Sequence, residues 1–302
     1  MSKVVFIVGP TASGKTDASF LLACRMPAEI VSCDSMLIYK EPKIITSKPP
    51  EEMLKKIIHY FVGDISVTEN FSVFDYFNRA REIIAGLDQR RINTIVCGGS
   101  GLYTKALLDG IFSSPGKDET LRKQLAAQAE IFGSEYLFEK LGKIDPKAAE
   151  KISANDLRRI IRALEVYYKS GKLISDKKNQ ASGLWDKLAI KIFGFTMRRA
   201  LLYEQINQRV DEMFSNGAVD EVQQLLRLNL SLTAEKIIGI KEIKDFIEGK
   251  VDEKTARENM KRNTRRFAKR QMTWFKRDKR IEWIDVEELN SEQIADKIWA
   301  QI

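Results

Sequence analysis

The residues best placed for chemistry lie in the first forty positions. Gly9-Pro-Thr-Ala-Ser-Gly14-Lys15-Thr16 is a glycine-bounded loop ending in a lysine and a hydroxyl. That spacing suits a polyphosphate: successive backbone N–H groups curl into an anion nest, and Lys15 adds a full positive charge. Gly9 and Gly14 allow backbone angles and close approach that a Cβ hinders. Thr11, Ala12 and Ser13 supply the nest between them, and a helix starting near Lys15 turns its positive dipole end toward the anion. Thr16 offers a hydroxyl to a Mg2+ ion bridging phosphate oxygens. Further on, Asp34 follows an apolar run and can serve as a general base or a metal ligand, or as a plain turn residue. Gly98-Gly99-Ser100-Gly101 is a second donor-rich turn, a weak signal alone. Arg209 can clamp a diphosphate bidentately or pair with Glu204, Asp211 or Glu212.

These groups need a scaffold that brings them to one edge. Val- and Ile-rich runs at 4–8, 29–33, 94–97 and 188–195 read as buried parallel strands, and 281–284 as a last short one. The phosphate loop, Asp34-Ser35 and the Gly98 turn each follow such a run, so all three belong at strand carboxyl ends, where ligands of open α/β sheets sit. From 118 to 185 the pattern changes to helical spacing (118–132, 134–141, 146–152, 156–169), with Pro115-Gly116 before it and a polar stretch to Gly183 near its end. The expected fold is therefore α/β, a P-loop-like parallel core (1–117 and 186–302) flanked by helices, with an all-helical insertion (118–185). Helices at 198–215, 217–228, 234–247 and 252–277 complete the core.

Bulk properties narrow the partners. The formal net charge is +8, and ten of the twenty residues from Lys261 to Arg280 are Lys or Arg. Such clustering favours a phosphate-rich macromolecule, or else is a solvated helix face. Along the same helix Met260, Thr264, Phe267, Gln271 and Trp274 form a stripe read as core packing. Arg158, Arg159 and Arg162 cluster on another helix, with Asn155-Asp156 as its N-cap. Three scattered cysteines and one histidine (His59) speak for a reduced cytoplasm and against a zinc site. No apolar run reaches the roughly 20 residues of a membrane span, and the phosphate loop starts too early for a signal peptide to precede it. A monomer is the default.

In order along the chain, several stretches resemble the tRNA dimethylallyltransferase (tRNA isopentenyltransferase) family. They are Gly9–Thr16, Ser32-Cys-Asp-Ser-Met-Leu-Ile-Tyr39, Thr46-Ser-Lys-Pro49, Gly98-Gly-Ser-Gly-Leu-Tyr103, Asn155-Asp156 with Arg159 and Arg162–Val166, and Lys261–Gln271 leading to Thr273-Trp274. The resemblance implies transfer of a dimethylallyl group from dimethylallyl diphosphate to N6 of the adenosine just 3′ of the anticodon, in tRNAs reading codons that begin with U. It implies that Lys15, Thr16 with Mg2+ and Arg209 hold the diphosphate, that Asp34 takes the N6 proton and that Ser100 helps position the reactants. A flipped adenine is expected to reach them through a channel. It implies tRNA contacts by Ser35, Met36, Leu37, Arg122, Arg158, Arg159, Arg162, Lys236, Lys241, Arg265, Arg266 and Lys269, with the insertion on the anticodon stem. Ser100, Lys43, Ile45, Ile240 and Tyr60 depart from the family pattern. Open alternatives are prenylation of free adenine nucleotides, a small-metabolite kinase, and a diverged tRNA-binding protein with weak catalysis.

Overall fold

The computed structural model describes residues 2–111, 116–178 and 182–302. Pro115 and part of the polar stretch before Gly183 lie outside the described residues. Six strands form: β1 (Val4–Val8), β2 (Ala28–Ser32), β3 (His59–Tyr60), β4 (Asn93–Gly98), β5 (Ile190–Thr196) and β6 (Glu282–Asp285). They make one sheet in the order β3-β2-β4-β1-β5-β6, every pairing parallel. Every residue of β1 and β2 is buried. That is why these strands read as continuous apolar runs rather than alternating ones: helices cover both faces of the sheet.

Register sets the height of the site. Val8 lies opposite Gly98 on β4 and Gly194 on β5, and Ser32 lies opposite Cys97. The phosphate loop, Asp34 and the Gly98 turn therefore leave the sheet at one level. One covering layer pairs the Lys15–Arg25 helix with the Ser291–Trp299 helix, whose Ile294, Ala295 and Ile298 enter the core beneath β1 and β5. The Ser291–Trp299 helix adds to the elements expected from the sequence; Asn290 and Gln293 form a capping box at its start, a local signal of a helix N-terminus. The expected helix at 234–247 is broken: a 3₁₀ turn (Ala234–Lys236) is followed by Gly239 at φ +111° and the Ile240–Ile247 helix.

Two units emerge. One comprises the residues up to Leu108 together with Leu184–Ile302; the other is Asp109–Gly183, beginning at Asp109 rather than at 118. Among its described residues the second unit is all helical: Glu119–Phe132, Ser134–Ile144, Pro146–Ala149, Leu157–Ser170 and Ile174–Lys178. Leu125, Leu137, Leu141, Ile160 and Leu164 form its core. A buried carboxylate ties it together. Glu165, with no exposed side-chain surface, accepts both guanidinium arms of Arg122 (2.9 and 2.8 Å), Arg162 (2.5 Å) and the Asp118 N–H (2.7 Å). Burial works to raise this carboxyl, but those hydrogen bonds outweigh it and hold it at about 2. Removing one charge from such a group strands the others. Glu165→Gln is expected to cost about 3 kcal/mol at neutral pH, read as a lower urea midpoint. Because the folded-state pKa is depressed, Glu165's contribution is full above pH 4.5 and fades as pH falls toward 2. The gap between variant and wild type should narrow over that window.

Candidate active site

The Pro10–Ser13 segment leaves β1 through Gly9 (φ +147°), where a Cβ would come 3.1 Å from the Phe195 carbonyl oxygen. Ala12 has φ +62°, and Gly14 (φ +76°) starts the Lys15–Arg25 helix. Lys15 is buried, its Nζ donating to the Pro10 carbonyl at 2.5 Å and lying 3.4 Å from the Ser13 hydroxyl. Burial lowers its pKa, countered by Cys97 and Asp34. The same burial pushes the Cys33 and Cys97 thiols up, so neither is poised as a nucleophile.

Around this loop opens a cavity of about 650 Å³ lined by Thr11–Asp17, Asp34, Leu37, Thr46–Pro50, Gly98, Gly99, Arg209 and Gln271. That volume lies within the range of small-molecule sites. A second cavity of about 230 Å³ has mostly apolar walls, among them Met36, Ile206, Met213 and Phe267, with Lys236 and Arg270. Five residues line both: Thr11, Asp34, Thr46, Ser47 and Arg209. A charged ligand in the first and an apolar or aromatic one in the second would meet at Asp34. One Asp34 carboxylate oxygen accepts the Met36 N–H at 2.9 Å, fixing the turn after β2.

Arg209 makes none of the ion pairs that were its alternative. Its Nε donates to the Ser47 hydroxyl (2.7 Å), and one terminal nitrogen lies 3.5 Å from the Thr11 hydroxyl. Asp211, one of the acids considered for it, pairs instead with Arg257 and Lys261. Burial pulls the Arg209 pKa down while Asp34 and Asp17 pull it up. Thr16 lines the larger cavity. Among the described residues no cluster of three or more acidic, Cys or His side chains stands ready for a metal.

Four residues of the site, Gln271, Glu221, Thr46 and Ser47, are not among the site residues expected from the sequence. Gln271, expected as packing, is buried, accepts the Thr11 N–H (2.9 Å) and donates to the Gly99 carbonyl (3.0 Å), joining the phosphate loop to the Gly98 turn. It explains Gly99, where a Cβ would lie 2.0 Å from its amide nitrogen; Gly101 likewise makes room for Trp274. The sequence signals of Gln271 are a polar side chain on a largely apolar stripe and its place at the end of the Lys261–Gln271 stretch. Glu221 accepts three consecutive N–H groups, from Lys43, Ile44 and Ile45, at 2.6 to 3.0 Å. It thereby fixes the loop that presents Thr46 and Ser47 to both cavities. Gln271→Leu would leave the buried Gly99 carbonyl and the part-buried Thr11 N–H unpaired, the first at a cost of about 1–3 kcal/mol. The expected result is roughly tenfold weaker binding of inorganic pyrophosphate, measured by calorimetry.

The remaining predicted residues divide by surroundings. Leu37 lines the larger cavity, Met36 and Lys236 the smaller; Ser35 and Ser100 line neither. Ser100 instead starts the Gly101–Asp109 helix, its hydroxyl 3.4 Å from the Tyr103 N–H. Lys241 pairs with Asp245, and Arg265 donates to Asn207. Arg266 and Lys269 are exposed. In the helical unit Arg122 and Arg162 hold Glu165, Arg159 pairs with Asp156 at 3.1 Å, and Arg158 is exposed.

A family model described as IPP transferase matches residues 37–278. The chain is 44% identical over 300 residues to the tRNA dimethylallyltransferase of Natranaerobius thermophilus, covering 98% of this chain and 90% of that protein. It is 41% identical to the enzyme of the same name from Alkaliphilus metalliredigens, covering 98% of this chain and 96% of that protein. Among solved structures it is similar to the full-length tRNA isopentenylpyrophosphate transferase of Bacillus halodurans, with a TM-score of 0.73, 34% identity and coverage of 100% and 97%. It is also similar to a eukaryotic dimethylallyltransferase acting on tRNA, with a TM-score of 0.80, 27% identity and coverage of 96% of this chain and 75% of that one.

Proposed function

The chain belongs to the IPP transferase family, and from that premise we infer that it is a tRNA dimethylallyltransferase. It transfers a dimethylallyl group from dimethylallyl diphosphate to N6 of a tRNA adenosine, the one just 3′ of the anticodon in tRNAs reading codons that begin with U. The observation that carries this reading is the meeting of two unlike cavities at Asp34, Thr11 and Arg209. One is a polar pocket built on a phosphate loop, and the other is a largely apolar pocket walled by the basic helix.

In the reaction the C1–N6 bond forms as the C1–O bond to the diphosphate breaks. The diphosphate leaves with the electron pair, and N6 gives up a proton. Lys15, the loop N–H groups and Arg209 stabilise the charge that grows on the leaving group. Asp34 accepts the N6 hydrogen bond and then the proton, making a poor amine nucleophile competent. Ser47, held by Arg209, and Thr46 sit where the two pockets join. Thr16 fits a divalent metal: its hydroxyl has no hydrogen-bond partner among the described residues, and it borders the diphosphate pocket. Mg2+ held by Thr16 and phosphate oxygens would neutralise charge on the leaving diphosphate.

Tethering of the tRNA falls to Ser35, Met36, Leu37, Ser100, Lys236, Lys241, Arg265, Arg266 and Lys269. On the helical insertion it falls to Arg158 and Arg159, with Arg122 and Arg162 bracing their helix through Glu165. No described helix is long and apolar enough to cross a membrane, and a cytoplasmic, monomeric enzyme fits this role. The test is transfer of labelled dimethylallyl from its diphosphate, with Mg2+, to unmodified tRNA, with AMP and ATP as the sole acceptors in parallel. Label on tRNA adenosine alone is expected. Label on free nucleotide moves the assignment to a nucleotide prenyltransferase. Salt-sensitive tRNA binding without label leaves a binding protein.

A further inference from the structure

The segment 42–48 carries Thr46 and Ser47 to the wall that both cavities share, in a conformation that it would not hold alone. Ser47 sits at φ +50°, the left-handed region that a Cβ disfavours. Such a residue persists where its surroundings over-determine it, and here they do. The Ser47 N–H donates to the Ile44 carbonyl (2.9 Å) and the Lys48 N–H to the Lys43 carbonyl (3.0 Å). The Thr46 hydroxyl donates to the Pro42 carbonyl (2.9 Å), and the Lys48 ammonium to the Tyr39 and Lys40 carbonyls, both at 2.8 Å. These bonds close the turn on itself and leave the N–H groups of Lys43, Ile44 and Ile45 to a side chain from elsewhere. Glu221 takes all three: Oε1 accepts from Lys43 and Ile44 at 2.6 and 2.8 Å, and Oε2 from Ile45 at 3.0 Å. A carboxylate suits this place because both of its oxygens only accept.

Two consecutive helices grip this segment. Arg209 stands on the Arg199–Ser215 helix and Glu221 on the Ala218–Leu225 helix, which starts after Gly217. Glu221 lines neither cavity, whereas Arg209 lines both. The Arg209 Nε donates to the Ser47 hydroxyl at 2.7 Å, and one terminal nitrogen lies 3.5 Å from the Thr11 hydroxyl of the phosphate loop. One bond at Nε fixes the plane of the guanidinium, and a planar fork meets phosphate oxygens well in one orientation only. We propose that Glu221 is a positioning residue for the diphosphate. By holding three backbone N–H groups it sets the Ser47 hydroxyl, and that hydroxyl aims Arg209 at the phosphate loop. Diphosphate affinity is thereby tuned by a carboxylate that never touches the ligand. The inference rests on the reading of the larger cavity as the diphosphate site.

The test measures inorganic pyrophosphate binding by calorimetry across a set of variants. Glu221→Gln keeps the size of the side chain but turns an NH2 donor toward backbone N–H groups, so part of the grip is lost. Pyrophosphate should bind about fivefold more weakly, the scale of one lost hydrogen bond. The KM for dimethylallyl diphosphate should rise by the same factor, while kcat at saturating diphosphate and the KM for tRNA stay near wild type. Ser47→Ala removes the hydroxyl, leaves the Glu221 bonds in place and should give the same loss. The double variant should lose no more than either single one, and in an Arg209→Gln background neither substitution should weaken binding further, because the three residues act as a unit. An unchanged pyrophosphate affinity in Ser47→Ala overturns the proposal. So does a Glu221→Gln loss that persists in the Arg209→Gln background, which would make Glu221 a residue of the fold alone. If Glu221→Gln does not fold, Glu221→Asp, which keeps both acceptor oxygens on a shorter stem, is read in its place with the same outcomes. Wild-type binding of pyrophosphate is the control: without it the diphosphate reading falls, whereas unaltered variants of a binding-competent protein sink the role of Glu221 alone.

Discussion

Asp34→Asn is expected to lower kcat about 10²- to 10⁴-fold, the range for removing a general base, with tRNA and pyrophosphate affinities within twofold of wild type. The asparagine is the informative variant because of what it preserves. One Asp34 oxygen accepts the Met36 N–H and holds the turn after β2; an amide oxygen keeps that bond. Asp34 lines both cavities, and there an amide can neither take a proton from N6 nor carry negative charge. Asp34 also raises the pKa of both Lys15 and Arg209, so its charge supports the cations around the diphosphate. Asp34→Ala removes the turn contact as well and should lose substrate affinity along with turnover. Single-turnover transfer of label, beside filter binding of tRNA, separates these effects. Equal loss of turnover and tRNA binding in Asp34→Asn would make Asp34 a structural residue. An unchanged single-turnover rate would remove it from the chemistry.

What the sequence shows of this site follows the range of the contacts involved. The phosphate loop is legible because all its parts, the apolar strand, Gly9, Gly14 and Lys15, fall within a dozen residues, and its conformation is local. Asp34 and the Gly98 turn are legible as positions, since each ends an apolar run. Their order along that edge is not, because no local pattern dictates that β4 lies between β1 and β2. Gln271 reaches Thr11 across 260 residues, and Glu221 reaches Lys43 across 178. Each looks like an ordinary polar helix residue until the chain is folded. The glycines show the same limit from the other side. Gly99 and Gly101 look like flexible turn residues, yet what they make room for are the side chains of Gln271 and Trp274. His59–Tyr60 escapes detection because two residues carry no period, and the strand exists through its pairing with Ile30 and Val31.

Lys15→Met should cut kcat/KM by about 10²- to 10³-fold, the scale of losing one donor to a developing anion in a dry site, and Lys15→Arg should not rescue it. The ammonium occupies a buried slot within 2.5 Å of the Pro10 carbonyl. A planar guanidinium with its fork of donors cannot occupy that point without moving the loop. Arg209 cannot deputise, because its Nε is committed to Ser47. The pH dependence carries the sharper test. Burial lowers the Lys15 pKa below its ordinary 10.5, so at alkaline pH the empty loop loses charge before a free lysine would. A bound diphosphate favours the ammonium and raises that pKa again. Binding must then take up a proton wherever pH lies between the lowered and the restored values. Pyrophosphate affinity should accordingly fall as pH rises through this window, more steeply in wild type than in Lys15→Met. Calorimetry in two buffers of unlike ionisation heat measures the uptake directly, and the difference between the two proteins isolates Lys15 from the ligand's own titration. Equal proton uptake by both would mean that Lys15 is already fully charged in the empty loop, or that it does not meet the diphosphate.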